Sequence, residues 1–500
     1  MEIQRKITKY LLRCPEICAN LDSKGSTDML NTARRSAMAV PSENLLQGFQ
    51  PDFEFTPVDP LPEAEFVERL RHIRREATVA GHDVILAHAD SIGAYRVSNS
   101  YLRYICDWMR EGVLVIPTDE NLPLTLFSFY SSSVLLPPGG EPVLVEDIWQ
   151  VGTWGRETYN RPGRAKDRVV EALGTHLERG GLASSQIGLF GDATSQPYWD
   201  ELAGRLPRSR LVPDAEIIER MQRRRSKREQ AVIRAAAQLA SIGMQAAYHV
   251  TRPGVTDYEI YAAFTFAQMA RGGEWGDGYQ IGINRFGTHC GKPYGHVVRS
   301  GDLINLYISA VSYHGYTAQI ARMIAVGSIT DKQEEVLQMC VEGVEAAAAR
   351  VRPGALVSEA ADASFEPYIR RGYLTSADSR TMPYNWSSSD DGSPRLIPRR
   401  HVPDVDWEAQ GRKLMHVYPA THGPHNPNVG HSISMPKFRP YNIASNNHDR
   451  FEEGMTFVLH SQWLEPEVAG ANIGDCYLVT DNGCENLSCD TPLAVHRVKV

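Results

Sequence analysis

The side chains best suited to chemistry are histidines, and His289 stands apart from the rest. It follows Gly287 by two residues within GINRFGTHCGKPYGHVVRSGDLINLYISAVSYHGYTAQIARMIAVG, residues 282–327. An imidazole whose ordinary pKa is about 6.5 can take a proton and return it near neutrality, which is what general acid–base catalysis needs. Gly and Asn bends separate two apolar runs here, 302–311 and 316–326. They read as a strand pair fed by the turn that carries His289, so that the imidazole faces a cleft. Five more histidines, His416, His422, His425, His431 and His460, cluster later in the chain. They fit a proton-handling pocket, a transition-metal site of imidazoles, or a set of surface and supporting side chains. Tyr307 and Tyr316 are candidate hydroxyl donors into the same cleft.

These residues need elements to hold them. Residues 1–60 lack periodicity and end in Pro-rich text, which reads as an arm or linker draped on a partner subunit. From residue 61 to 225, an amphipathic helix ending at Gly81 is followed by strands at 83–88, 112–117, 123–130 and 142–146, a helix at 165–179 and a strand at 186–190. That alternation predicts an α/β domain, and its lack of motifs suggests a scaffold or dimerisation role. The basic run MQRRRSKRE, 221–229, reads as a solvated helix start or a phosphate patch.

Residues 226–500 contain an internal repeat. A helix at 227–250 runs into Arg252-Pro253-Gly254, and one hundred residues later a helix at 332–351 runs into Arg352-Pro353-Gly354. Thr256 and Glu259 have capping-box spacing after the first, and Ser358 precedes acidic and Ala residues after the second. RSGDLINLY, 299–307, then matches EEGMTFVLH, 452–460. In each, a Gly closes a turn and an apolar strand ends in a polar aromatic residue. This predicts two α-α-β-β units related by a pseudo-two-fold, with a cleft between them. The Ser/Asp/Pro-rich segment 373–413 reads as an insertion capping the cleft or touching a partner subunit.

Composition narrows the function classes. A chain of 500 residues has room for two or three domains. A net charge of -8 argues against general nucleic-acid binding. No uncharged apolar run approaches the roughly 20 residues that span a membrane, and the first residues lack the pattern of a secretory signal. The eight cysteines form no C-x-x-C pair, so free thiols in a reducing cytosol are expected.

Several segments, in order and spacing, resemble the creatinase/aminopeptidase P/methionine aminopeptidase family over about residues 60–490. They are RSKREQAVIRAA, RPGVTDYEI, RGGEW, GYTAQIAR, VGHSIS, FEEGMTF and DCYLVTDNGCENLS. The resemblance implies a mixed α/β (α+β) chain: an N-terminal α/β domain, then a "pita-bread" domain of two pseudo-symmetric α-α-β-β repeats. Peptidases of that family hold two divalent ions with two Asp, one His and two Glu. Carried over, the first Asp falls at Tyr307 or Ile308, the second at Gln319, the His at His431, and the two Glu at His460 and Gly474. Two divalent cations bring about four positive charges and want oxygen anions, which these positions no longer supply. The expectation is therefore no metal and no cofactor.

The metal-free creatinase branch matches the opening stretch through Gly282-Ile283-Asn284, Gly287-Thr288-His289, Gly301-Asp302-Leu303 and Asn305. Its catalytic histidine maps onto His289. Its two guanidinium-clasping glutamates fall at Ala321 and His460, so a neutral or anionic substrate group is favoured instead. Arg439 falls near the arginine that holds a substrate carboxylate in that branch, and an arginine fork suits that task.

These features imply a cytosolic, homodimeric, metal-independent hydrolase of a C–N bond in a small polar metabolite, with neither nucleic-acid nor membrane partners. His289 would be the acid/base, and Tyr307, Tyr316, Gln319, His431, Arg439 and His460 would line the site. Glu274, Asp277 and Asp475 are the candidates to support His289. Three alternatives stay open: a lyase resembling the dimethylsulfoniopropionate-lyase branch, a metal-dependent Xaa-Pro-type peptidase, and a non-catalytic binding module.

Overall fold

The computed structural model describes residues 44–89, 100–129, 136, 140–151, 164–192, 195–274, 280–284, 287, 291–372, 395–398, 414–417, 428–433, 435, 440–465 and 468–500. Two sheets organise them. The first has strands β1 (Val84–Ala89), β2 (Gly112–Pro117), β3 (Thr125–Ser128), β4 (Asp147–Gln150), β5 (Gln186–Phe190) and β6 (Arg210–Pro213), in the order β4-β3-β2-β1-β5-β6. β1 and β2 are largely apolar and buried at every position, as strands covered on both faces must be. Helices α1 (Glu63–Val79) and α2 (Tyr101–Cys106) cover one face. Helices α3 (Arg164–Arg179) and α4 (Gln196–Arg205) cover the other, and α5 (Glu216–Met221) follows. The strand expected at 142–146 does not form, because Leu144 takes a left-handed φ of 62° that an extended run cannot contain. The strand begins instead at β4.

The second sheet collects β7 (Ile281–Ile283), β8 (Leu303–Tyr313), β9 (Tyr316–Val326), β12 (Asn428–Ser432), β13 (Asn442–Ala444), β14 (Thr456–Glu465) and β15 (Ala469–Val479), in the order β13-β12-β14-β15-β9-β8-β7. β16 (Cys484–Asn486) pairs with β15 and β17 (His496–Val498) with β9. A separate ribbon joins β10 (Arg395–Pro398) to β11 (Leu414–Val417). β10 is the described part of the expected insertion, and the expected capping of the cleft lies outside the described residues. Five helices accompany this sheet: α6 (Lys227–Val250), α7 (Asp257–Met269), α8 (Asp331–Ala348), α9 (Val357–Ala363) and α10 (Glu366–Arg370).

The repeat is visible bond by bond. Gly254 and Gly354 have φ of 94° and 85°, and their N–H groups donate to Val298 O and Phe451 O, each at 2.9 Å. The bridge Thr256↔Val297 has its counterpart in Leu356↔Arg450. Gly243 and Gly343 hold the same place in α6 and α8. A Cβ would lie 2.8 Å from the Phe264 ring in the first and 2.5 Å from Ser461 Oγ in the second, so both helices pack at glycine-only distance. The capping matches in one half alone. Thr256 and Glu259 form the expected box at α7, but α9 starts from Leu356, not Ser358, and has no side-chain cap.

Two other segments named in the sequence take their places on this frame. The basic run is the largely solvated helix start that the sequence suggests, with Arg224, Lys227 and Arg228 exposed where α6 begins, and it also fastens the turn before β14. Arg223 pairs with Asp449 at 2.9 Å and Lys227 with Glu453 at 2.9 Å, while Arg225 N donates to Gly454 O at 2.8 Å. The described part of the arm lies on its own chain. Phe49, Phe53 and Phe55 pack against Ile242, Ala246 and Ala267, and Asp52 N donates to Gln245 Oε1 at 2.9 Å. Among the described residues no helix is long and apolar enough to cross a membrane.

Candidate active site

Residues directly opposite in a ladder project to the same face of a sheet. Tyr307 on β8 lies opposite Ala321 on β9, Ala321 opposite Gly474 on β15, and Gly474 opposite His460 on β14. The four make one row across four strands. The row obeys the pseudo-two-fold: Val326 N donates to Asp302 O at 3.0 Å and Val479 N to Met455 O at 2.9 Å. Counting inward from these matched bonds makes Ala321 the mate of Gly474 and Tyr307 the mate of His460. The axis therefore passes through the Ala321–Gly474 pair that joins the two halves.

The two central residues are almost without side chains, and the outer rings lean in over them. The Tyr307 and His460 ring centroids are 6.0 Å apart at 82°. Gln319, two residues from Ala321 and so on the same face, donates from Nε2 to the Tyr307 hydroxyl. His431 lies opposite Val458, two residues from His460, and the two imidazoles are 5.9 Å apart. A continuous polar line results: His431, His460, Tyr307, Gln319. His431 Nδ1 is 2.9 Å from Ser432 O. A carbonyl only accepts, so Nδ1 carries the proton and Nε2 keeps its lone pair.

The backbone holds this line closely. At Gly474 a Cβ would come within 2.5 Å of Leu459 O and 2.7 Å of His460 Cβ, so no larger residue fits without a shift. Cys476 Sγ donates to Gln319 O at 2.8 Å and accepts from Gln319 N at 2.9 Å, pinning the residue that steers Tyr307. Burial pushes that thiol up to about 12, which keeps its proton in place. On the other side, Asn284 adopts a φ of 53°. It donates to Asp302 Oδ1 at 2.9 Å and accepts from Leu303 N at 2.8 Å. Gly287 meets β15 so closely that a Cβ would lie 2.3 Å from Gly470 O. The Gly-Ile-Asn and Gly-Asp-Leu segments are thus tied to one another, one on each side of His289 in the sequence.

The predicted residues divide into three groups. Tyr307, Gln319, His431 and His460 come together, and the contact with Gln319 resolves the offset in favour of Tyr307 over Ile308. Tyr316 does not join them. It is three residues from Gln319, and the two-residue period of a strand sends it to the opposite face. There its buried hydroxyl donates to Glu229 Oε1 at 2.9 Å and accepts from Arg69 Nη2 at 2.7 Å. His289, Arg439, Asp277, His422 and His425 lie outside the described residues, as does the side chain of His416.

Two of the acids proposed to support His289 are otherwise engaged. Glu274 takes both Arg103 nitrogens at 2.9 and 2.6 Å. Burial alone would raise its pKa, but the Arg103 charge holds it below the usual carboxylate range. Asp475 alternates with Gly474, faces away from the row, and pairs with the fully buried Arg322 at 2.6 Å. The role of Ala321 and Gly474 as the joint of the two halves was not foreseen. Superposing Gly301 on Gly454 would have shown it, since that register sets Tyr307 on His460.

Comparison with known proteins gives the same frame a family. The model of metallopeptidase family M24 matches residues 231–481, half of the chain. The chain belongs to metallopeptidase family M24. An uncharacterised hydrolase/peptidase of Sinorhizobium fredii, y4tL, is 32% identical over 323 residues, covering 62% of this chain and 78% of that protein. A Xaa-Pro dipeptidase of Lactobacillus helveticus is 22% identical over 297 residues, 58% of this chain and 67% of the other. Solved structures with the same fold include a Xaa-Pro dipeptidase from Bacillus anthracis, with TM-score 0.62, 18% identity and coverage of 87% and 100%. An X-Pro aminopeptidase from Thermotoga maritima gives TM-score 0.62, 15% identity and coverage of 86% and 99%. The fold is thus the pita-bread fold of the M24 proteins.

The donors on the row do not suit the ions that the family's name implies. A phenol, a carboxamide, two imidazoles and a glycine stand where two Asp, one His and two Glu are expected. Among the described residues no group of three or more His, Cys, Asp or Glu is placed to hold a metal ion. A pair of hard divalent ions needs several anionic oxygens, and the nearest carboxylate in sequence, Asp475, points to the opposite face.

Proposed function

We propose that this M24 member hydrolyses a C–N bond in a small polar substrate by side-chain acid–base catalysis, without a dinuclear metal pair on the row. The reading is carried by the row itself, whose groups can donate, accept and move protons but lack the charge to hold two divalent ions. In this scheme water attacks the carbon of the C–N bond. His289 takes the proton from that water and returns it to the departing nitrogen. The Tyr307 and His460 donors meet the charge that grows on the substrate, and the Nε2 lone pair of His431 accepts from it. Purified protein should carry less than stoichiometric transition metal, and its turnover of small amides should survive a chelator. His289→Ala should lower that turnover by about 10²–10⁴-fold.

The relatives named as Xaa-Pro dipeptidases favour a second reading, a metal-dependent Xaa-Pro peptidase. Added manganese or cobalt should then raise turnover of Xaa-Pro dipeptides, and chelation should abolish it. That result would replace the first reading.

A further inference from the structure

We propose that the row which the family pattern assigns to cations takes instead an anionic group of the ligand, a carboxylate or another oxyanion, bound by His460 and Tyr307. This deepens the functional reading above and rests on its assignment of the site.

The charge inventory carries the argument. On the face shared by Tyr307, Ala321, Gly474 and His460, no described ladder position from β8 through β12 bears a carboxylate. The groups that do converge are two imidazoles, a phenol and a carboxamide, and Gln319 turns its amide donor toward Tyr307. The acid next to Gly474, Asp475, is on the opposite face and neutralised by Arg322. A cation on the row would meet no counter-charge from these described ladder positions. An oxyanion would meet N–H and O–H donors in a partly dry site, where charge-assisted bonds are strongest. The pseudo-two-fold matters here, because it aims one donor ring from each half at the same place above Ala321 and Gly474. Anion recognition then reads the closure of the two halves as well as their side chains.

Titration calorimetry on the full chain, with malonate and inorganic phosphate as probes and methylguanidinium as the cationic control, tests this. Malonate or phosphate should bind and methylguanidinium should not. His460→Gln and Tyr307→Phe should each weaken the anion by about tenfold or more, the loss of one hydrogen bond to a charged group. Tyr307→Phe removes a single oxygen, so it serves where His460→Gln fails to fold. Undiminished anion binding in folded variants, or preference for methylguanidinium, overturns the proposal. Metal content measured on the same samples separates the two claims. Metal-free protein that turns over amides but binds neither anion sinks only this inference. Anion binding that disappears when a bound metal is stripped sinks both.

Discussion

Gly474 and Asp475 are neighbours on β15 with opposite constraints. Gly474 faces the row, where the approach of Leu459 O and His460 leaves no room for a methyl group. Gly474→Ala should therefore cost about 1–3 kcal/mol in urea unfolding and reduce turnover by displacing His460. Asp475 faces the helices, fully buried, and binds Arg322 at 2.6 Å and Asn486 Nδ2 at 2.8 Å. The same guanidinium also donates to Gly474 O at 2.8 Å and Pro492 O at 2.9 Å, tying the row's backbone to the C-terminal segment. Removing the cation strands a buried carboxylate. Arg322→Met should destabilise by about 3–5 kcal/mol, and adding Asp475→Leu should recover much of the loss, since buried ion pairs exchange well for apolar pairs. A double variant no more stable than the single one would show that the guanidinium acts through its carbonyl contacts instead.

At the scale of elements the repeat was legible because its markers are local. Arg-Pro-Gly after a long helix, a Gly turn and an apolar strand each leave a signature a few residues long. The face assignments were harder. Tyr307 and Tyr316 look alike in sequence, and only the register of β8 against β9, with its irregularity after Ile308, sends one to the row and the other to Arg69 and Glu229. Leu144 shows the same limit, since nothing in PVLVE announces a left-handed φ. The basic run was legible as a solvated helix start, but its partners were not, because Asp449 and Glu453 lie more than two hundred residues away. One asymmetry of the repeat makes a prediction. Thr256 and Glu259 cap α7 reciprocally, while Leu356 and Glu359 occupy the same places at α9 without a cap. Leu356→Thr restores the T-x-x-E pattern and should raise stability by about 0.5–1 kcal/mol, read as a shift in the urea midpoint at constant slope.

Among the described residues, the two large sheets are joined by a shared apolar core and by a few charged contacts that cross it. Arg69 on α1 reaches Tyr316 on β9 and lies 3.2 Å from Glu229 on α6. Arg103 on α2 grips Glu274, whose Oε2 in turn accepts from Gly315 N at 3.1 Å in the β8–β9 bend. Acid should strike these halves unequally, because the first sheet contains a buried neutral histidine. His88 on β1 is fully enclosed by Phe129, Tyr198 and Trp199, with Nδ1 2.7 Å from Ser195 Oγ. Burial pushes its pKa down from 6.5 to about 4, against a weaker opposing pull from Asp192. The unfolded chain therefore binds a proton that the folded chain refuses between those values. Stability contributed by the neutral ring is complete above pH 6.5 and is lost as pH falls toward 4, by about 3 kcal/mol in all. His88→Gln cannot titrate and should flatten that part of the profile. Urea midpoints taken from pH 7 to pH 4 should fall more steeply for the parent chain than for the variant. Parallel profiles would place the acid-sensitive group elsewhere, in the carboxylates that join the two sheets.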